Sequence, residues 1–359
     1  RRCAELVGSV LVASFTVTKL RWLRDHEPQN AARVTDVLLP HDFVSQHLCE
    51  PGTPAFSDRG DASGTGYYST REDRWLPELA ASALGHDVRL PRLVAPGQGA
   101  GRTSGGATVG SGTGDNMAAA LGMQLTPGDV LLSVGTSGVA SMVSQGPTAD
   151  ETGAVTGFCD ATGNYLPMSV TLNAARILDL QARWLGVDHH ELADLALSAP
   201  VGSNGVVLLP YYGGERTPNR PAAVGTWTGL RSGTTRADLA RAAYEALACS
   251  LAEALAQITV RLDRDPDRVL LVGGAARSQA LRAVLPGVLG RPVLVAPPAE
   301  YVALGAARQA AWVLGGTGAP PQWDLVESIE VDADATPAVL SRYAELRCAT
   351  ETWDGGAPT

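Results

Sequence analysis

The sequence predicts an α/β fold with at least one open sheet. Short apolar runs alternate with segments of helical periodicity along its 359 residues, and glycine-rich turns follow several of the runs. The clearest unit is β-turn-α-β, with strand 269–272, turn Gly273-Gly274, helix 278–289 and strand 293–296. In open sheets of this class, ligands bind at the carboxyl ends of the strands, so such turns are candidate site elements.

The other predicted elements follow the same two periodicities. The longest is a helix at 235–262, where apolar side chains recur every three or four residues and Thr235 can cap the first turn with Asp238 three residues on. Runs 130–134 and 139–143 are joined by G-T-S-G, which predicts a hairpin. Further strands are predicted at 34–39 and 206–209, and further helices at 16–24, 77–84, 115–121, 304–314 and 338–352.

Composition and charge exclude several classes of protein. Hydrophobic residues make up 45% of the chain and charged residues 18%, which is typical of a soluble globular protein. The net charge of -9 argues against a nucleic-acid surface. No apolar run reaches the roughly 20 residues of a membrane-spanning helix. The five cysteines include no C-x-x-C pair, so we expect neither a disulfide framework nor a zinc site, and a cytoplasmic location.

Glycine-rich turns are the first candidates for chemistry. They lie at residues 60–66, 112–116, 135–138 and 273–278. Glycine lets a backbone approach a ligand closely, and exposed N–H groups can hold phosphate oxygens. None of the turns is a Walker A loop, which would read G-x-x-x-x-G-K-[ST]. Each is also compatible with an ordinary tight turn.

Two of these turns carry an acid that could act as a base. Asp61 lies in G-D-A-S-G-T and Asp115 in G-T-G-D-N. Phosphoryl transfer to a sugar alcohol needs a carboxylate for the hydroxyl proton and a set of donors for the phosphate. An Asx-type turn is the alternative interpretation of Asp61. The segment at 214–218 is read as a solvated loop, and the pair His189-His190 as surface residues.

Two long segments together resemble the signatures of one family, the FGGY carbohydrate kinases. They are S-F-T-V-T-K-L-R-W-L-R-D-H at 14–26 and G-T-W-T-G-L-R-S-G-T-T-R-A-D-L-A-R-A-A-Y-E at 225–245. D-A-S-G-T, G-T-G-D-N-M-A-A-A-L-G, L-S-V-G-T-S-G-V and G-E-R-T-P look like the xylulokinase branch of that family. The resemblance covers roughly residues 5–315.

The resemblance implies two actin-like, ribonuclease H-like α/β lobes around a cleft. We expect residues 1–105 to belong to the N-terminal lobe, 106–315 to the nucleotide-binding C-terminal lobe and 316–359 to a tail with a terminal helix. It further implies phosphorylation of a sugar by ATP with Mg²⁺, most similar to the conversion of D-xylulose to D-xylulose 5-phosphate. A homodimer, and no nucleic-acid or membrane partner, are expected.

The resemblance also assigns roles to residues. Asp61 corresponds to the catalytic base, Asp115 and Asn116 to cleft residues near the phosphates, and residues 215–218 to an interlobe loop. The remaining matches are nucleotide contacts: the second phosphate loop at Gly135, Thr136 and Ser137, and the adenosine turn at Gly273, Gly274, Ala275 and Ser278.

Three departures from the family pattern qualify these roles. The family's first phosphate loop, an Asp-x-Gly-Thr hairpin, does not occur in this sequence, which suggests truncation at the N-terminus and predicts a chain of weak or no activity. The adenosine turn reads G-G-A-A-R-S where G-G-G-A-K-S is common, and the stretch between Asp61 and Gly112 is short.

The rival functions are a kinase of ribulose, gluconate or glycerol, and a non-catalytic nucleotide-binding protein on the same core.

Overall fold

The computed structural model describes residues 2–353. Its helices are α1 Arg2–Val7, α2 Thr16–His26, α3 Pro28–Ala31, α4 Pro40–Leu48, α5 Arg59–Ala62, α6 Pro77–Leu84, α7 Asp115–Gly122, α8 Ala175–Leu185, α9 His189–Ser198, α10 Arg236–Leu262, α11 Gln279–Leu289, α12 Tyr301–Gly315 and α13 Pro337–Ala349. Its strands are β1 Phe56–Ser57, β2 Tyr68–Ser69, β3 Arg74–Trp75, β4 Arg92–Leu93, β5 Gly99–Arg102, β6 Thr108–Gly110, β7 Asp129–Val134, β8 Gly138–Met142, β9 Met168–Thr171, β10 Val207–Leu209, β11 Thr226–Thr228, β12 Arg268–Val272, β13 Val293–Val295 and β14 Ile329–Val331.

The predicted helices are confirmed, including the capping box at the start of α10, where Thr235 accepts a hydrogen bond from the Asp238 backbone. The strand predicted at 34–39 is wrong. In that run only Asp36 forms a single bridge, to Arg89. The extended segment instead buries Val37 in an apolar cluster with α2 and α6, and Pro40 then begins α4. This apolar run is therefore buried by packing against helices rather than by pairing in a sheet.

The chain divides into two compact units. Unit 1 contains Arg1–Pro127, Val143–Pro167 and Ala299–Leu325, and unit 2 contains Gly128–Met142, Met168–Pro298 and Val326–Thr359. Both units are therefore discontinuous in sequence.

Unit 2 is built on a six-stranded sheet in the order β14-β13-β12-β7-β8-β9. The central pairs β7–β12 and β12–β13 are parallel, whereas β7–β8, β8–β9 and β13–β14 are antiparallel. Parallel strands place their carboxyl ends at one edge, so the turns that follow β7 and β12 meet there. Helix α10 lies against this sheet and is buried along most of its length, from Asp238 to Ile258.

Unit 1 has only short strands and relies on helix packing. Strands β1 and β4 pair in parallel, and β2–β3 and β5–β6 form antiparallel pairs. Helices α7 and α12 pack so closely that a Cβ at Gly305 would lie only 1.8 Å from the Ala118 carbonyl oxygen. Any side chain at this position would push α12 away from α7. Among residues 2–353, no helix is both long and apolar enough to cross a bilayer.

Candidate active site

A three-residue turn joins β7 to β8 in unit 2. Residues Gly135 and Thr136 are exposed at its tip, and the Gly135 N–H donates to the Ser137 carbonyl at 3.1 Å. The Gly135 carbonyl accepts from the N–H of Ala175, the first residue of α8, and the Thr136 carbonyl accepts from the N–H of Ala174 just before it, so both bonds hold the turn in place. The N–H groups of Thr136 and Ser137 have no acceptor among the described residues and are free to donate to a ligand.

The second turn of unit 2 follows β12 and depends on Gly273. That residue has a φ of +98°, and a Cβ there would lie 2.5 Å from the Val134 carbonyl oxygen at the end of β7. Only glycine allows the backbone to pass so close to the neighbouring strand. The turn continues as a 3-10 helix, Gly274–Arg277, and α11 follows after Ser278.

The two turns line one cavity of about 580 Å³. Residues 138 positions apart in the sequence, such as Thr136 and Gly274, therefore face the same space. The cavity is large enough for a small-molecule ligand. The predicted nucleotide contacts that line it are Gly135, Thr136, Gly274, Ala275 and Ser278.

Several lining residues escaped the sequence analysis. Tyr244 of α10 is buried beside the cavity, and its hydroxyl is 3.1 Å from the Ser278 Oγ. Tyr244 belongs to the segment 225–245 that carries the family resemblance, but no local pattern marks it as a ligand contact. His189 and His190, read as surface residues, are indeed exposed, but they line the cavity rim and pair with Asp179 at 3.1 Å and Asp194 at 3.1 Å. Arg277 also lines the cavity, and no described acidic side chain pairs with it.

Glu215 of the segment 214–218 is buried, so the interpretation of this segment as a solvated loop is wrong for that residue. Its carboxylate accepts hydrogen bonds from the Leu172 N–H and from the Asn173 side chain, the latter at 3.0 Å. Four donors in all satisfy the buried charge, the others being the Asn173 and Arg216 backbone N–H groups. Glu215 therefore fixes the connection between β9 and α8.

In unit 1, Asp61 lies in α5, a single helical turn. The side chain of Asp58 caps this turn by accepting from the Asp61 N–H at 3.0 Å. The Asp61 carboxylate is partly buried and lies 3.4 Å from His41 Nε2 of α4. Burial and the charge of Asp58 raise the pKa of Asp61 to about 7, while His41 opposes the increase. Asp61 is therefore a carboxyl group poised to gain or lose a proton near neutral pH.

Asp115 is the first residue of α7 and is exposed. Its Oδ1 accepts from the Asn116 N–H at 2.7 Å and from the Asn116 side chain at 2.9 Å, and its Oδ2 has no partner among the described residues. Asp61 lies close to the residue that precedes Asp115: a Cβ added at Gly114 would be 3.0 Å from the Asp61 Oδ1. The two acids that the sequence singled out thus meet in one region of unit 1.

Comparison with known families assigns this architecture. A model described as the FGGY family of carbohydrate kinases, N-terminal domain, matches residues 1–122, and the C-terminal domain of the same family matches residues 130–314. This chain belongs to the FGGY family of carbohydrate kinases.

This FGGY kinase is similar to several xylulose kinases. It is 42% identical to that of Streptomyces coelicolor and 41% identical to that of Streptomyces rubiginosus, and each alignment covers 96% of this chain and 73% of the relative. The crystal structure of the xylulose kinase from Bifidobacterium adolescentis matches with a TM-score of 0.89 at 41% identity, covering 96% of this chain and 75% of that one.

Membership of the family confirms the predicted class of two actin-like α/β lobes and an ATP-dependent sugar kinase. Asp61 and Asp115 fall in the N-terminal family domain, and the turns at Gly135 and Gly273 fall in the C-terminal one. The roles of the individual residues, and the lobe boundaries at 105/106 and 315/316, stay predictions.

Proposed function

We propose that this FGGY kinase transfers the γ-phosphoryl group of ATP to the 5-hydroxyl of D-xylulose. The observation that carries the choice of sugar is the similarity to xylulose kinases over 96% of the chain. In the reaction, the sugar oxygen forms a bond to the γ-phosphorus, the bond from that phosphorus to the ADP oxygen breaks, and the hydroxyl proton passes to a carboxylate. ADP leaves with the electron pair of the broken bond.

The cavity of unit 2 is the proposed ATP site. Its walls are largely apolar, with Val134, Leu178 and Ala193 among them, which suits the faces of an adenine ring. The free N–H groups of Thr136 and Ser137 are the proposed phosphate donors, whereas the Gly135 N–H already donates to the Ser137 carbonyl. Arg277 adds a positive charge that can reach a polyphosphate.

Two carboxylates of unit 1 are candidates for the base. Asp61, assigned by the family resemblance, has a pKa close to the operating pH, but His41 engages its Oδ2. Asp115 is exposed and its Oδ2 is free of described partners. Because a base must come within hydrogen-bond distance of the hydroxyl, we propose Asp115 as the base and keep Asp61 as the alternative that the same variants test. Asn116 holds the Asp115 carboxylate in place.

Mg²⁺ is proposed to arrive with ATP, bound to the phosphates, so MgATP is the substrate. One group of donor side chains in the described residues could enclose a cation: His41, Asp58 and Asp61. It does not fit Mg²⁺, which prefers an octahedron of oxygens and retains waters, because an imidazole nitrogen lies at the centre of the group. A cytoplasmic location and a homodimer remain proposals alongside this one.

The test is a coupled assay of ADP formation with a panel of acceptors: D-xylulose, D-ribulose, D-gluconate and glycerol. We expect D-xylulose to have the highest kcat/KM by at least about tenfold, which corresponds to roughly 1.4 kcal/mol of transition-state discrimination. A tenfold preference for another acceptor would transfer the assignment to that sugar. ATP binding without turnover on any acceptor would agree with a non-catalytic nucleotide-binding protein and equally with the low activity predicted for a chain without the Asp-x-Gly-Thr hairpin.

A further inference from the structure

Three carboxylates of unit 1 converge on one imidazole. His41 Nε2 lies 2.9 Å from Asp42 Oδ1, 3.5 Å from Asp58 Oδ2 and 3.4 Å from Asp61 Oδ2. The side chains of Asp42 and Asp58 are 1% and 4% exposed, so two negative charges lie out of reach of water. Buried carboxylates without a counter-charge are costly, which makes the charge of His41 decisive for this cluster.

Two of these carboxylates use one oxygen to cap a helix and present the other to the imidazole. Asp42 uses its Oδ2 to accept from the Leu39 N–H at the start of α4, at 2.9 Å, and Asp58 uses its Oδ1 to cap α5. Their second oxygens, Asp42 Oδ1 and Asp58 Oδ2, make no hydrogen bond to any other described residue and lie beside the imidazole. His41 therefore joins the N-terminal ends of two helices through the carboxylates that cap them.

The third carboxylate connects this cluster to the catalytic turn. Asp61 points its Oδ2 at His41, and its Oδ1 packs against Gly114, the residue before Asp115. We propose that His41, as an imidazolium, is a positioning residue that holds Asp61 and the turn carrying Asp115 in place for the sugar. The expected change in kcat rests on the proposed function, whereas the expected charge of His41 does not.

The electrostatics of the cluster agree with this role. Burial lowers the pKa of His41, but the carboxylates of Asp42, Asp58 and Asp61 outweigh it and raise the pKa to about 10. These three acids are the charged groups that α4 and the Asp58–Asp61 turn present to the imidazole. His41 should therefore carry its proton at neutral pH.

The first test is an NMR titration of the imidazole, which needs no substrate. The His41 signal is assigned by its disappearance in His41→Gln, and its chemical shift is followed from pH 5 to 10.5. We expect the protonated form to persist with a midpoint of about 10. A midpoint near the ordinary 6.5 would overturn the proposal, whether or not the protein is a xylulose kinase.

The second test separates positioning from fold stability. We expect His41→Gln to lower kcat by about 10²-fold, the usual cost of misplacing a reacting group by ~1 Å, with KM for ATP unchanged. His41→Lys, which keeps a cation, should recover most of that loss. His47→Gln is the matched control, since His47 lies on the same helix, exposed and bonded to the Phe43 carbonyl. Normal kcat in His41→Gln, or no recovery in a folded His41→Lys, would contradict the proposal.

Discussion

The two candidate sites of this kinase differ in the groups that form them. In unit 2, the nucleotide cavity is formed by backbone turns at Gly135 and Gly273 between apolar walls, and its charged groups lie at the rim. In unit 1, buried side-chain charges are gathered around His41 behind Asp115. The difference suggests that the nucleotide is bound by the shape of the backbone, whereas the sugar hydroxyl is activated by ionised side chains. Substitutions in the two regions should therefore change different kinetic constants.

The largest effect is expected at the proposed base. Asp115→Asn removes the proton acceptor and should lower kcat by about 10²- to 10⁴-fold, roughly 3 to 5 kcal/mol of barrier, while ATP affinity stays nearly intact. Steady-state assays and calorimetric titration measure the two quantities.

Asp61→Asn is the comparison variant for Asp115→Asn. Because Asp61 contributes through position, we expect it to lose less activity than Asp115→Asn. Near-normal turnover in Asp115→Asn together with a large loss in Asp61→Asn would return the role of base to Asp61.

The complementary effect is expected at the nucleotide turn. Gly273→Ala places a Cβ 2.5 Å from the Val134 carbonyl oxygen at a φ of +98°, so the turn must move away from β7. We expect weaker ATP binding and a loss of about 1–3 kcal/mol in the free energy of unfolding. Gly274→Ala is the control, since its Cβ would meet open space and its φ is not positive. Equal effects of the two substitutions, measured by urea unfolding, would argue against this account of the turn.

A pH-dependent effect on stability is expected at the charged cluster. The pKa of His41 is raised from 6.5 to about 10 in the folded state. Its stabilising contribution is therefore complete below pH 6.5 and is lost as pH rises through about 10. We expect the difference in unfolding free energy between the parent and His41→Gln to shrink over that window in urea titrations. A difference that stayed constant from pH 6 to 10 would mean that folding does not raise the pKa of His41.

The smallest effect is expected at the rim of the cavity. His190 and Asp194 have side chains 82% and 61% exposed, and an exposed ion pair contributes about 0–1 kcal/mol. His190→Ala should therefore change the affinity for ATP by less than about fivefold. A larger loss would show that the rim contacts the nucleotide directly, and the contrast between the two sites would then be less sharp.

The sequence predicted the nucleotide turns better than the charged cluster. A Gly-Gly pair directly after an apolar strand, as at Gly273-Gly274, predicts a turn, and both the pair and the strand are local signals. His41 and Asp61 come together only through the packing of α4 against the Asp58–Asp61 turn, which no local pattern specifies. The same reason explains the wrong strand at 34–39, because an apolar extended run does not reveal whether it pairs or packs. The discontinuous units likewise depend on contacts distant in sequence.

The central claim is that chemistry and nucleotide binding are assigned to different residues, and a crossed comparison tests it most directly. A non-hydrolysable ATP analogue is titrated calorimetrically into the parent, Asp115→Asn and Gly273→Ala, and kcat with D-xylulose at saturating ATP is measured on the same preparations. The account predicts parent-like affinity with lost turnover in Asp115→Asn, and weakened affinity with largely retained turnover in Gly273→Ala. Loss of analogue binding in Asp115→Asn with unaltered binding in Gly273→Ala would contradict it.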